Sequence, residues 1–347
     1  MYIASTDQRL QYSGRMDQEG ERKIVVFPCS YVRVCFHGTD IRAVVDNKNN
    51  YWDNYLGVLL DGVQTKVPLS NEPGKQTIVL GENLEAKDHD LMLFKRQDAC
   101  HEWGFYGFEI DGELLEIPQK PTRKIEVYGD SVSAGEVAEA VEFVGQHDPE
   151  WHRGECSNSY ESYAWKTARM LNAEIHDIAQ GGIALLDNTG WFNAPDYIGM
   201  ESAYDKVRYN PAFGTITDWD FSKYTPDVVI VAIGQNDNHP EDYMAEDPTG
   251  TLALRWKSHY KAFIEKLLGT YPGAEIVLCT TILEHHKNWD LAIDEVAKCL
   301  RSPRVHHFLF SKNGVGTPGH IRTPEAEEMA RELSAYLEGL DIMAWRN

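Results

Sequence analysis

The spacing of apolar residues changes its period once along this chain, at Pro118-Gln119-Lys120-Pro121, and a chain so divided folds as two unlike units. Before that point short alternating or β-rich runs recur at residues 23–27, 31–36, 41–45, 56–60, 76–80, 90–94 and 104–110. Turn formers separate them: Asn47-Lys48-Asn49-Asn50, Asp61-Gly62, Pro73-Gly74 and Asp111-Gly112. Many short strands with no long helical stripe predict an antiparallel β-sandwich over residues 1–117. Proline favours extended, non-pairing backbone, so residues 118–122 are expected to be a linker.

From residue 123 to 347 strands alternate with helices. Strands are predicted at 125–128, 174–178, 227–233, 275–281 and 305–310, and helices at 160–171, 252–268 and 291–300. A last helix is expected to open with Thr323 as N-cap and Pro324 at its first position, with Glu325, Glu327 and Glu328 in the first turns. Its stripe of Met329, Leu333, Tyr336, Leu337 and Leu340 has helical spacing and reads as core. The unbroken apolar run at 227–233 is what a strand covered on both faces requires. The second unit is therefore expected to be an α/β domain, a mainly parallel sheet with helices on both faces.

Four loops at the carboxyl ends of these strands carry chemistry. Gly129-Asp130-Ser131-Val132-Ser133-Ala134-Gly135 follows the first, and its small residues permit a sharp turn and close approach by another molecule. Ala179-Gln180-Gly181-Gly182 follows the second strand, Gly234-Gln235-Asn236-Asp237 the third, and a glycine-rich loop ending at His320 the last. In a parallel sheet such loops share one edge and can converge on one crevice. A serine hydroxyl becomes a nucleophile when a neighbouring base takes its proton, which assigns Ser131 and His320. The oxyanion formed on attack needs donors, for which the N–H groups of Ser131 and Gly182 and the Asn236 side-chain amide are the candidates. Asp130 is expected to cap the turn.

These blocks resemble those of the SGNH (GDSL-type) hydrolases: the G-D-S-x-x-x-G block at 129–135, the glycine block at Gly182, the G-x-N-D block at 234–237 and the terminal histidine at His320, in the family's order. The resemblance covers about residues 122–340. A β-sandwich ahead of such a domain resembles carbohydrate esterase family 2, with Phe36-His37-Gly38-Thr39 and Leu60-Asp61-Gly62 as further short matches. That resemblance implies a jelly-roll sandwich, metal-free hydrolysis without a cofactor, and removal of exposed acetyl esters, such as those at the sugar 6-position, from plant polysaccharides. The aspartate that the superfamily often carries two or three residues before the histidine is missing, since Thr317 and Pro318 stand there. The expectation is a Ser131–His320 dyad with a backbone carbonyl accepting the Nδ1 proton; Asp290 or Glu284 is the alternative orienter.

The rest of the chain narrows the partners. A formal net charge of −21, from 54 acidic and 33 basic residues, argues against nucleic acid or an anionic membrane surface. No apolar run reaches the roughly 18 residues of a spanning helix, and the N-terminus has no basic and apolar leader. Six scattered cysteines without C-x-x-C spacing read as reduced thiols, so a cytoplasmic protein is expected. The pairs His285-His286 and His306-His307 point to opposite faces, so no metal site is expected. His147 and His152 belong to a polar insertion, 139–158, and are read as solvated loop residues. Trp165 and Trp256 fit helical cores; Trp191 and Trp289 follow strand ends and are expected to present ring faces to a sugar, with Trp52 and Trp103 as weaker candidates.

The expected function is deacetylation of acetylated oligosaccharides, such as those of mannan or xylan, through an acetyl-enzyme. Two other readings compete. A lipid esterase or thioesterase of the same superfamily would want an apolar covering over Ser131, whereas residues 139–158 are charged. A non-catalytic carbohydrate-binding protein would use the sandwich and the aromatic residues but leave the Ser/Gly/Asn/His set idle.

Overall fold

The computed structural model describes residues 1–345. Up to Leu114 the chain forms a ten-stranded antiparallel sheet that curls over its own core. The long strand Tyr31–Lys48 makes this possible by changing partners along its length. Its first part pairs with Lys87–Lys95, its second with Gln76–Gly81, and Glu102–Leu114 runs beside both. The change falls at Gly38, where the register slips against Gly112 and a Cβ on Gly38 would lie 2.1 Å from the Asp111 carbonyl oxygen. The runs at 31–36 and 41–45 are thus one bent strand rather than two; the glycine and its polar neighbours break the alternation without ending the strand. Val34, Phe36, Ala43, Val45, Leu91, Leu93, Phe105 and Phe108 fill the space enclosed.

The second unit is a five-stranded parallel sheet in the order Ala173–Ala179, Arg123–Gly129, Val228–Ala232, Glu275–Cys279 and Val305–His307. Period-two alternation sends Val229 and Val231 to one face, against the helices Thr251–Thr270 and Asn288–Leu300, and Val228 and Ile230 to the other. The second face packs on Tyr163–Met170 and Thr323–Gly339 through Trp165, Met329, Leu333 and Leu337. The last helix starts one residue earlier than expected, with Arg322 at the N-cap. Thr323 does not cap it: its hydroxyl donates to the Ala138 carbonyl at 2.9 Å, while the Glu325 carboxylate accepts from the Arg322 N–H at 2.8 Å.

Side chains cross between the two units. Ile24, Val26, Phe27 and Ala99 of the sandwich sit in the same apolar cluster as Tyr128, Ile178 and Tyr209. Arg15, fully buried, donates to the Tyr128 hydroxyl at 2.8 Å and lies 3.2 Å from Glu126. In return Arg208 reaches back to Glu102 at 2.7 and 3.0 Å.

Candidate active site

The loop after Arg123–Gly129 turns directly into a four-residue helix, Ser131–Ala134. Asp130 caps it as expected, accepting the Val132 N–H at 3.0 Å, and Gly135 ends it with a φ of +75° that a side chain would resist. The cap holds Ser131 with its Oγ 2.8 Å from Nε2 of His320, although 189 residues separate them.

His320 is not left to a backbone carbonyl. Its Nδ1 lies 2.5 Å from Oδ2 of Asp148, whose Oδ1 accepts the His320 N–H at 2.9 Å and the Arg322 guanidinium at 2.9 Å. The expected dyad is therefore corrected to a Ser131–His320–Asp148 arrangement. The carboxylate comes from the polar insertion after the nucleophile, so its place in sequence bears no relation to the histidine. Neither alternative orienter is near: Asp290 binds His285 at 3.1 Å and Glu284 is exposed.

Electrostatics follow from this packing. Burial raises the Asp148 carboxyl, but hydrogen bonding and charge from His320 and the charge of Arg322 outweigh it and hold Asp148 below the ordinary range. Burial pushes His320 down, yet the carboxylates of Glu136, Asp148 and Asp130 lift it to about 9. Glu136, unremarked in sequence, has Oε2 3.9 Å from the His320 Nε2 and is pushed up by burial and by the like charges around it.

The glycine block is held from the other domain. Asp98, in the loop that crosses from Lys87–Lys95 to Glu102–Leu114, accepts the Gly181 N–H at 2.5 Å and the Gln180 side-chain amide at 2.9 Å. Gly182 then adopts a φ of +72°, and a Cβ there would lie 2.8 Å from that of Trp191. The N–H groups of Ser131 and Gly182 have no partner among the described residues. The Asn236 amide stands beside them, donating to Asp130 at 3.2 Å and to the Ile183 carbonyl at 3.1 Å. Asp237 serves structure: its buried carboxylate accepts from the Trp256 indole at 2.8 Å and the Leu185 N–H at 3.0 Å, fixing the loop beyond Gly182.

An open cleft of about 460 Å³ lies over Ser131, with Trp191 and Tyr51 among the residues around it. Trp191 is 57 % exposed and stacks on His239, so it offers a ring face at the cleft. Trp289 does not: it is fully buried, packs edge-on against Trp256 and donates to Asp242 at 3.1 Å. The helix begins at Asn288, one residue before it, which turns the indole inward. Trp165 and Trp256 are core as expected, whereas Trp103 is buried within a strand. The sandwich does overhang the cleft, but through Asn50 and Tyr51. His147 is exposed; His152, expected to be solvated, is buried edge-on against Trp52.

Residues 12–118 match the family model for the carbohydrate esterase 2 N-terminal domain. The chain is 32 % identical over 340 residues to the cellulase/esterase CelE of Acetivibrio thermocellus, a match covering 94 % of this chain but 39 % of that longer protein. It is 27 % identical to an acetylxylan esterase / glucomannan deacetylase of Cellvibrio japonicus, over 99 % of this chain and 91 % of that one. A family two carbohydrate esterase structure from Cellvibrio japonicus superposes with a TM-score of 0.82 at 25 % identity, covering 100 % and 99 % of the two chains. With the N-terminal domain matched by that family model, similar proteins along nearly all of its length and the same two-domain fold, this chain is similar throughout to the carbohydrate esterases of family 2.

Proposed function

We propose that the chain is a serine esterase that removes O-acetyl groups from sugar hydroxyls. The observation that carries this reading is the unbroken line of contacts from Ser131 through His320 to Asp148 beneath an aromatic-edged cleft. Ser131 Oγ attacks the acetyl carbonyl carbon while its proton passes to the His320 Nε2. Asp148 keeps the other imidazole proton on Nδ1 and stabilises the imidazolium. The N–H groups of Ser131 and Gly182 receive the oxyanion, joined by the Asn236 amide as it exchanges its long bond to Asp130 for the substrate oxygen. His320 then protonates the departing sugar oxygen, leaving acetyl-Ser131. Water, deprotonated by His320, releases acetate and restores the serine.

The substrate class rests on the polar, ring-shaped demands of the cleft and on the relatives' names, one of which pairs acetylxylan with glucomannan. Acetylated oligosaccharides of mannan or xylan type, with the exposed 6-position among the esters removed, are the expected substrates. Hydrolysis of acetylated manno- and xylo-oligosaccharides followed by NMR tests this directly. Loss of sugar acetyl signals is expected, with Ser131→Ala reducing the rate by about 10⁴-fold or more. Full retention of hydrolysis by that variant refutes the mechanism, and preference for a long-chain ester over an acetyl ester refutes the substrate class.

A further inference from the structure

Glu136 stands in the catalytic cleft with no task in the Ser131–His320–Asp148 chemistry. Gly135 ends the helix Ser131–Ala134, and the side chain that follows it lines the same cleft as Ser131 and His320. The carboxylate hangs over the glycine block, where a Cβ on Gly181 would lie 3.1 Å from its Oε2. Its one ionic neighbour is the His320 Nε2 at 3.9 Å, beyond hydrogen-bond length. Neither of its oxygens accepts a hydrogen bond among the described residues. The side chain is only 14 % exposed. Burial pushes its carboxyl up to about 7; the His320 charge opposes this, while Asp98, Asp148 and Asp130 add to it. A carboxylate so placed, open to the cleft and unmet by any donor, is costly unless a substrate group supplies one.

The reaction itself dictates what arrives there. To be protonated as it departs, the sugar oxygen must come within about 2.6–3.2 Å of the His320 Nε2. That nitrogen is 2.8 Å from the Ser131 Oγ and 3.9 Å from the Glu136 Oε2. A hydroxyl on the neighbouring ring carbon, gauche to the departing oxygen, lies about one hydrogen-bond length from it. Such a hydroxyl can turn its O–H to Glu136 while the ester oxygen stays at His320. Both protonation states of the carboxyl keep an oxygen able to accept that bond.

We propose that Glu136 sets specificity by accepting a hydrogen bond from a free hydroxyl vicinal to the acetylated one, so that the chain selects half-acetylated diols of the sugar ring. The inference rests on the esterase reading. A ring whose adjacent hydroxyls are both esterified offers no proton to Glu136 and is a poorer substrate until another deacetylase frees one of them. An ester at the sugar 6-position has the ring oxygen on its neighbouring carbon and gains nothing from Glu136.

Three matched esters test it: trans-2-hydroxycyclohexyl acetate, trans-2-methoxycyclohexyl acetate and cyclohexyl acetate, compared by kcat/KM on the whole chain. The hydroxy ester is expected to lead both others by about tenfold or more. Glu136→Ala is expected to bring the three within about threefold of one another, and Glu136→Gln, which keeps an acceptor oxygen, to leave the hydroxy ester ahead. Removing Glu136 also changes the proton affinity of His320, but that change acts on all three esters and cancels in their ratios. Equal rates in the parent, a full preference kept by Glu136→Ala, or a gain on the methoxy ester alone, which would report crowding, overturns the proposal. Hydrolysis of a small aryl acetate by the parent keeps the esterase reading standing in those cases, and its absence overturns both.

Discussion

Replacing Asp148 by asparagine tests the corrected catalytic arrangement, because the structure dictates how the new side chain must sit. Oδ1 of Asp148 accepts both the His320 N–H and the Arg322 guanidinium. The surviving oxygen of asparagine stays with those two donors, which places its NH₂ where Oδ2 faced the imidazole. That amide donates to Nδ1, driving the histidine's proton onto Nε2, the atom that must accept from Ser131. A tautomer locked wrongly in a buried Ser-His-Asp site reduces turnover by about 10⁴. Here the Asp148 side chain is 35 % exposed, so water competes for the imidazole. The expected loss is on the order of 10²–10³ in kcat/KM, about 2.7–4.1 kcal/mol. Asp148→Ala admits water in place of the carboxylate and permits either tautomer, so it is expected to lose less, roughly 10- to 100-fold. The assay is kcat/KM on a small acetyl ester, with thermal melting to confirm that both variants fold. Asp148→Asn within threefold of the parent, or Asp148→Ala falling below it, refutes the orienting role.

Activity is expected to rise with pH until His320, lifted to about 9, loses its proton, since only the neutral imidazole accepts from Ser131. Glu136→Gln removes a negative charge that favours the imidazolium, so the rise in kcat/KM should move to lower pH; an unmoved profile contradicts that coupling. Trp191→Ala should raise KM for an acetylated oligosaccharide while sparing a small aryl acetate, whereas Trp289→Ala should lower stability by about 3–5 kcal/mol by opening a cavity beside Trp256. Comparing KM and melting temperature separates the two, and a specific KM effect from Trp289→Ala would overturn its assignment to the core.

The nucleophile was legible because it stands directly after a strand, and the base because it closes the long loop that leads from the last strand to the last helix, at the edge where the sheet brings distant loops together. Asp148 was not, because an insertion obeys no period. It sits in Gln146-His147-Asp148-Pro149, a sequence indistinguishable from a solvated turn. The one signal available was the vacancy at Thr317 and Pro318, which called for a carboxylate from elsewhere, and residues 139–158 form a polar insertion that begins four residues after the Gly129–Gly135 block. Trp289 misled for a related reason. Its place after a strand end resembled that of Trp191, but a helix start at Asn288 turns it into the core, whereas the bonds from the Trp191 and Phe192 N–H groups to the Gly182 carbonyl keep Trp191 at the rim. Gly38 hid the continuity of the longest strand because a bulge and a turn look alike in sequence.

Asp98 gives the sandwich a standing that an appended module does not have. Its carboxylate fixes the peptide ahead of Gly182, so the shape of the glycine loop is encoded partly in the other domain. Such a domain cannot be exchanged for a different sandwich without also re-tuning the catalytic one. The two are heritable only as a pair: a change in the loop that carries Asp98 is felt at the reacting carbonyl, and divergence in either half is constrained by the other.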